Sequence, residues 1–73
     1  MTEEQAVMLA AEVAKREGWP WRPPIQATLR KRSLFSRQKY WEIRSNVAMR
    51  GMNVTVSIDD ATGIVEGAGF LPR

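Results

Sequence analysis

The first seventeen residues carry their hydrophobic side chains at a helical spacing. Six apolar positions recur every three or four residues and form one broad face, with most charged side chains opposite. They are Ala6, Val7, Leu9, Ala10, Val13 and Ala14. Thr2 and Gln5 have the spacing of a capping box, and Gly18 follows a basic last turn, which favours a left-handed C-terminal cap. The pattern predicts a helix over residues 3–17.

From residue 25 onward the period changes to two, which is typical of half-buried strands. Three stretches alternate clearly, and a fourth is shorter and loosened by glycine. These predicted strands cover residues 25–32, 40–48, 52–58 and 64–68. One helix followed by consecutive strands with short links predicts an α+β fold, in which one N-terminal helix packs on a three- or four-stranded antiparallel β-meander.

Alternation also assigns each strand residue to one face of the sheet. The side chains expected to face the helix are Trp41, Ile43, Val47, Met52, Val54, Val56 and Ile58, with Ser45 as the one polar inward position. The side chains expected on the open face are Gln26, Thr28, Arg30, Arg32, Tyr40, Glu42, Arg44, Asn46, Asn53, Thr55 and Ser57. The open face is therefore predicted to be polar and to meet solvent or a partner.

The segment 18–24 connects the helix to the first strand and contains three prolines. Proline removes backbone donors and favours extended conformations before it, so this segment is predicted to be a stiff connector. Trp19 and Trp21 within it have two interpretations, a lid over one end of the core or an aromatic pair that holds a ligand. The lid is favoured, because a small domain seldom leaves so much apolar area unused.

Composition narrows the classes of function. The chain has 73 residues, 44% hydrophobic and 26% charged, which indicates a single globular domain over residues 1–73. It contains no Cys and no His, which excludes disulfides, thiol nucleophiles and imidazole acid–base chemistry. Asp59 and Asp60 are expected to form a turn with Gly63, and they lack the further ligands of a calcium loop. We expect no enzymatic activity, no metal and no cofactor.

The beginning of the chain bears on its location. Met1 is followed by Thr2, Glu3 and Glu4, whereas a secretory signal opens with basic residues before an apolar stretch. No run approaches the roughly 20 apolar residues that a membrane-spanning helix needs. The expected location is cytoplasmic, with no membrane partner.

The net charge of +3 is unevenly distributed. Residues 1–17 carry a net charge of −2, residues 18–50 carry +7, and residues 51–73 return to −2. This distribution has two interpretations, an anionic partner for the central third or complementarity between segments that pack together.

The basic residues concentrate around the predicted turn at 33–38. Five cations flank it, namely Arg30, Lys31, Arg32, Arg37 and Lys39. Leu34 and Phe35 lie at its tip. This hairpin is consistent with a solvated loop, with an acidic protein surface whose pocket takes Phe35, or with a phosphate backbone and a base that stacks on an aromatic ring. The side chains singled out for partner binding are Arg30, Arg32, Phe35, Arg37 and Arg44.

The order of elements and four short motifs resemble the PepSY and PepSY-like families of small α+β domains. The motifs are Glu4-Gln5-Ala6-Val7, Tyr40-Trp41-Glu42-Ile43, Val54-Thr55-Val56-Ser57-Ile58-Asp59 and Thr62-Gly63-Ile64-Val65, within residues 3–66. Small bacterial immunity proteins show a similar aromatic strand followed by an Asp-x-x-Thr-Gly turn. The resemblance implies a noncatalytic bacterial module that binds or restrains another protein, in some relatives a peptidase, and it implies no catalytic residues.

The leading hypothesis is a noncatalytic protein-binding module, inhibitory or regulatory toward its partner, that acts as a monomer or a homodimer. A dimer joined through the open sheet face or an unpaired edge strand is consistent with the pattern. The alternative is a small nucleic-acid-binding protein that uses the same basic hairpin. An enzyme is the third hypothesis, which requires an ordered pocket with convergent polar groups.

Overall fold

One helix and four strands account for most of the chain. The structure is a computed structural model that describes residues 1–72. The elements are α1 (Glu3–Glu17), β1 (Gln26–Lys31), β2 (Lys39–Arg44), β3 (Asn53–Asp59) and β4 (Val65–Leu71). The strands form one antiparallel sheet in the order β1-β2-β3-β4, which confirms the α+β meander and fixes the number of strands at four.

The bounds of α1 are set by its caps. The Gln5 N–H donates to the Thr2 hydroxyl at 3.1 Å, and the Thr2 N–H donates to the Gln5 side chain at 2.8 Å. Gly18 closes the other end in the left-handed conformation, with φ 76°. These contacts satisfy backbone groups that have no partner within the helix, so the prediction of residues 3–17 is confirmed.

The core lies between α1 and one face of the sheet. It consists of Ala6, Ala10, Val13, Ala14, Trp41, Ile43, Val54, Val56 and Ile58. The three alanines of α1 let the helix lie close to the sheet, where it contacts β1, β2 and β3. Trp41 keeps its one polar atom satisfied, because its indole N–H donates to Asp60 at 2.8 Å.

The connector 18–24 covers one end of this core. Trp19 and Trp21 are partly buried against the core cluster. The Trp19 ring stacks on Phe70 of β4, with ring centroids 6.1 Å apart. The tryptophans therefore act as the predicted lid.

The prediction that the second strand extends to residue 48 is wrong. β2 ends at Arg44, and residues 45–52 form the connection to β3. Val47 and Met52, both expected in the core, are 37% and 41% exposed. The physical reason is the backbone, because Asn46 and Met52 have φ of 53° and 55°, which no extended strand adopts.

The predicted exposure of Asn46 and Asn53 is also wrong, since both residues are buried, although the register of β3 keeps Asn53 on the face opposite Val54. The Asn53 amide donates to the carbonyls of Ser45 at 3.0 Å and of Asn46 at 2.9 Å, and its oxygen accepts from the Gly51 N–H at 2.9 Å. Within residues 1–72 every buried polar side-chain atom has a partner. A side-chain amide thus replaces the sheet hydrogen bonds that the connection lacks.

The remaining differences are at strand ends. β1 is one residue shorter at each end than predicted, and β4 continues to Leu71 instead of ending at residue 68. The β3–β4 pairing contains an irregularity between Ser57 and Ile58, where β4 accommodates one additional residue. No helix in the described part of the chain is long and apolar enough to cross a membrane.

Candidate functional site

The connection between β1 and β2 projects from one end of the sheet. Its backbone is held by two hydrogen bonds, from Arg32 N–H to the Gln38 carbonyl at 3.1 Å and from Ser36 N–H to the Ser33 carbonyl at 3.3 Å. Leu34 and Phe35 are 90% and 98% exposed, so neither side chain packs against the domain. We call residues 33–37 the hairpin tip.

Two of the five predicted cations are already paired within the chain. The Arg30 guanidinium lies 3.2 Å from Glu42 on the neighbouring strand. Arg32 reaches across the sheet and bonds Asp59 at 3.0 Å and also Glu66. The two ion pairs of Arg32 show the internal complementarity between the basic centre and the acidic segment 51–73 that was one of the two interpretations of the charge distribution.

Arg32 connects three strands through its charge. Its guanidinium lies over the ring of Tyr40, 5.4 Å from the centroid, while it bonds carboxylates at the end of β3 and in β4. Hydrogen bonds from Arg32, and then from the Thr62 N–H and hydroxyl, lower the pKa of Asp59 to about 2. Hydrogen bonds to Glu66 and Asp59 raise the pKa of Arg32. Arg32 therefore links β2, β3 and β4 across the open face.

The other three cations of the hairpin keep their charge uncompensated. Lys31, Arg37 and Lys39 form no ion pair within residues 1–72. Lys31 and Lys39 are direct cross-strand neighbours. Like charges placed directly opposite destabilise a sheet, so a nearby anion would relieve this pair.

The sequence places Lys31 and Lys39 among the hairpin cations, but the predicted partner-binding residues do not include them. Their pairing depends on the register of the hairpin, which places residue 31 opposite residue 39. Pairing the two strands outward from the predicted turn at 33–38 would have placed residue 31 opposite residue 39, so the sequence contained the signal for this pair.

Arg44 does not belong to this surface. It lies at the far end of β2, opposite Gln26, whereas Lys39 begins the strand beside the tip. Five residues of extended strand separate Arg44 from Lys39, which corresponds to about 17 Å. The structure thus gathers Arg30, Arg32, Phe35 and Arg37 at one end of the sheet and leaves Arg44 at the other.

An open groove of about 670 Å³ lies beside the hairpin tip. Arg37 and Lys39 line one side, and the β3–β4 turn lines the other with Asp60, Thr62 and Ile64. Ile64 is exposed. Asp59 and Glu66 also line it, so the groove offers cations, three carboxylates and an apolar side chain within one shallow surface.

The chemistry of these groups suits binding. In residues 1–72 no group of three His, Cys, Asp or Glu side chains is placed to hold a metal ion. The two groups with shifted pKa values, Arg32 and Asp59, are bonded to each other, and an ion pair of this kind by itself shifts the pKa of both partners. What the site presents is an apolar tip surrounded by charge.

Comparison with known proteins returned no relative. No protein-family model matches the chain, and no curated protein and no solved structure matches it. The resemblance to PepSY-like domains stays a prediction that rests on the motifs alone.

Proposed function

We propose that this protein is a noncatalytic module that binds another protein through its hairpin tip. The observation that carries the proposal is the position of Phe35, which is 98% exposed beside an equally unpacked Leu34. Large apolar side chains that project together from a surface are typical of interaction sites. Neither contributes to the core, so the fold itself gives no reason for an aromatic ring there.

The surroundings of the tip define the chemistry of the partner. Lys31, Arg37 and Lys39 flank Phe35 and have no carboxylate partner in the described structure. The partner is a protein with an apolar pocket that takes Phe35 and an acidic rim that pairs with these cations. Binding of this kind restrains or regulates the partner without chemistry, as the resemblance to PepSY-like domains implies.

The test compares baits that differ only at the tip. Wild-type protein, Phe35→Ala and Met8→Ala are used to capture partners from lysate with nuclease present, and the recovered proteins are quantified. Met8 is the matched control, because it is an exposed apolar side chain on α1, away from the hairpin. We expect one stoichiometric partner with wild type and Met8→Ala, and its loss with Phe35→Ala. Equal recovery with all three baits would contradict the proposal.

Three unpaired cations beside an exposed aromatic ring also favour the alternative, a nucleic-acid-binding protein. The two functions differ in their salt dependence. Neutralising several phosphates makes affinity fall linearly with the logarithm of salt concentration, whereas an apolar anchor in a pocket depends less on salt. Anisotropy titrations of a labelled single-stranded oligonucleotide at two salt concentrations separate them. Tight, salt-sensitive binding that Phe35→Ala weakens would replace the protein-binding proposal.

A further inference from the structure

Three segments of the chain meet at the end of the sheet opposite the hairpin tip. β1 and β3 begin there, and β2 and β4 end there. Backbone hydrogen bonds from the β2–β3 connection to the carbonyls of Arg22 and Pro24 hold it against the connector 18–24. The Met52 N–H donates to the Pro72 carbonyl at 3.2 Å, which places the end of β4 beside them. We call this end of the molecule the distal end.

The distal end exposes aliphatic and thioether side chains. Met49 and Leu71 are 63% and 58% exposed, and Val47 and Met52 are also partly free of the domain. None of the four belongs to the core cluster or packs against it. An apolar surface of this kind, contributed by two segments, is typical of an interaction site.

The same end carries an excess of positive charge. The last turn of α1 lies here, because Trp19 follows it and stacks on Phe70 near the end of β4. Glu17 is the one carboxylate on the segments that meet at this end, against five cations. The cations are Lys15, Arg16, Arg22, Arg44 and Arg50. All five are exposed, and within residues 1–72 none of them forms an ion pair.

An anionic lipid surface offers partners to both kinds of group. Its headgroup phosphates attract cations, and the hydrocarbon below them accepts aliphatic side chains. A nucleic acid instead favours exposed aromatic rings that stack on its bases, and the large exposed apolar side chains of the distal end are all aliphatic or thioether. A protein pocket favours a single central anchor, whereas these side chains are spread over two segments.

We propose that the distal end docks on the surface of a membrane that contains anionic lipids. Met49 and Leu71 enter the boundary between headgroups and hydrocarbon, while Arg22, Arg44 and Arg50 pair with phosphates around them. The sequence-based expectation of no membrane partner rests on the lack of a spanning segment, which docking of this kind does not need. Docking at this end leaves the hairpin tip directed away from the lipid.

Co-sedimentation of the full chain with vesicles is the first test. Vesicles of phosphatidylcholine alone are compared with mixed vesicles of equal parts phosphatidylcholine and phosphatidylglycerol. We expect binding to the mixed vesicles only, with an affinity that falls as salt screens the cations. A wild type that does not bind the mixed vesicles, or that binds both kinds equally, overturns the proposal.

Two double variants separate the charge from the apolar contact. Arg22→Gln with Arg50→Gln removes two cations, and Met49→Gln with Leu71→Gln removes apolar area without a change of charge. We expect each double variant to bind the mixed vesicles at least about tenfold more weakly than wild type, with unchanged circular dichroism. Undiminished binding by either folded variant overturns the proposal, because docking requires both contacts.

Matched controls come from the hairpin at the opposite end. Lys31→Gln with Arg37→Gln removes two cations that are also unpaired in the described structure, and Leu34→Gln with Phe35→Gln removes two exposed apolar side chains. We expect both controls to bind the mixed vesicles like wild type. Losses as large as those of the distal variants would show that net charge or total apolar surface, and not the distal end, determines binding, which overturns the proposal.

A labelled thiol locates the contact even if a double variant fails to fold. The chain contains no cysteine, so Met49→Cys and Phe35→Cys each introduce a single site for a polarity-sensitive fluorophore. We expect the emission of the label at residue 49 to shift to shorter wavelength on mixed vesicles, and that of the label at residue 35 to stay constant. An equal shift at both positions, or a shift at residue 35 alone, overturns the proposal.

Membrane docking and partner capture use opposite ends of the molecule. Phe35→Ala must therefore bind mixed vesicles like wild type even where it loses a protein partner. Arg22→Gln with Arg50→Gln must keep that partner when it loses the vesicles. Failure of one proposal is thus distinguishable from failure of the other.

Discussion

The two connections on either side of β2 contrast in what they bury. Residues 45–52, between β2 and β3, bury the side chains of Ser45 and Asn46 and cover the side chain of Asn53 in β3. The hairpin tip, between β1 and β2, points outward and exposes Leu34 and Phe35 almost completely. The β2–β3 connection buries polar side chains while its own Val47, Met49 and Met52 stay exposed, and the hairpin tip contains no buried side chain.

The difference shows which connection the fold needs. Positive φ at Asn46, Gly51 and Met52 takes the β2–β3 connection out of the ladder pattern, so its backbone groups need other partners. The Asn53 amide supplies them. The hairpin tip makes one backbone hydrogen bond of its own, between Ser36 and Ser33, and contributes nothing to the core, so selection for binding can act on its side chains without cost to the fold.

Among changes in and beside the two connections, the largest expected effect follows from removing the Asn53 amide. Asn53→Ala leaves the Gly51 N–H and two carbonyls without their partners in a buried position, and such loss costs about 1–3 kcal/mol of unfolding free energy. Urea denaturation followed by tryptophan fluorescence measures it.

The matched control for Asn53→Ala lies in the other connection. Ser36→Ala removes the hydroxyl that accepts from the Gln38 N–H at 3.0 Å, but water reaches that N–H. We expect a change within about 0.5 kcal/mol. Similar losses in both variants would show that the two connections do not differ in their importance for folding.

The contrast between the two connections also explains which parts of the fold the sequence could predict. Alternation and capping residues located α1 and the inward faces of the strands, because burial requires a fixed period in each element. The burial of Asn53 was not predictable from alternation, since the connection 45–52 that covers its side chain leaves the strand conformation at Asn46 and Met52. Alternation assigns a polar residue at the end of a strand to the solvent-exposed face. Its burial becomes predictable only when the conformation of the adjacent connection is known.

The candidate site was predictable in part for a related reason. The cluster of cations and the apolar tip are contiguous in sequence, so both were located. The pairing of Arg32 with Asp59 and Glu66 joins residues 27 and 34 positions apart, and only the strand order and register bring them together. The net charges of the segments suggested that basic and acidic segments attract each other, but they could not identify which residues form the ion pairs.

A smaller effect is expected from acid, at the base of the hairpin. The folded pKa of Asp59 is about 2, below its ordinary value of 3.8, chiefly because Arg32 donates to the carboxylate. The stability that this pair contributes is therefore present above about 3.8 and is lost as pH falls through about 2. An NMR titration should show the Asp59 pKa rise toward its ordinary value in Arg32→Gln. An unchanged pKa would mean that the Thr62 hydrogen bonds alone lower it.

The smallest effect is expected at the hairpin tip itself. The double variant Leu34→Ser, Phe35→Ser removes no buried contact, so we expect the unfolding free energy to change by no more than about 0.5 kcal/mol. Urea denaturation gives the value, and Ile43→Ala, which truncates a fully buried side chain, is the control with an expected loss of about 2–5 kcal/mol. If the tip variant lost about 1 kcal/mol or more of unfolding free energy, the tip would pack against the domain in solution. Its apolar side chains would then belong to the fold, and the contrast with residues 45–52 would disappear along with the proposed binding surface.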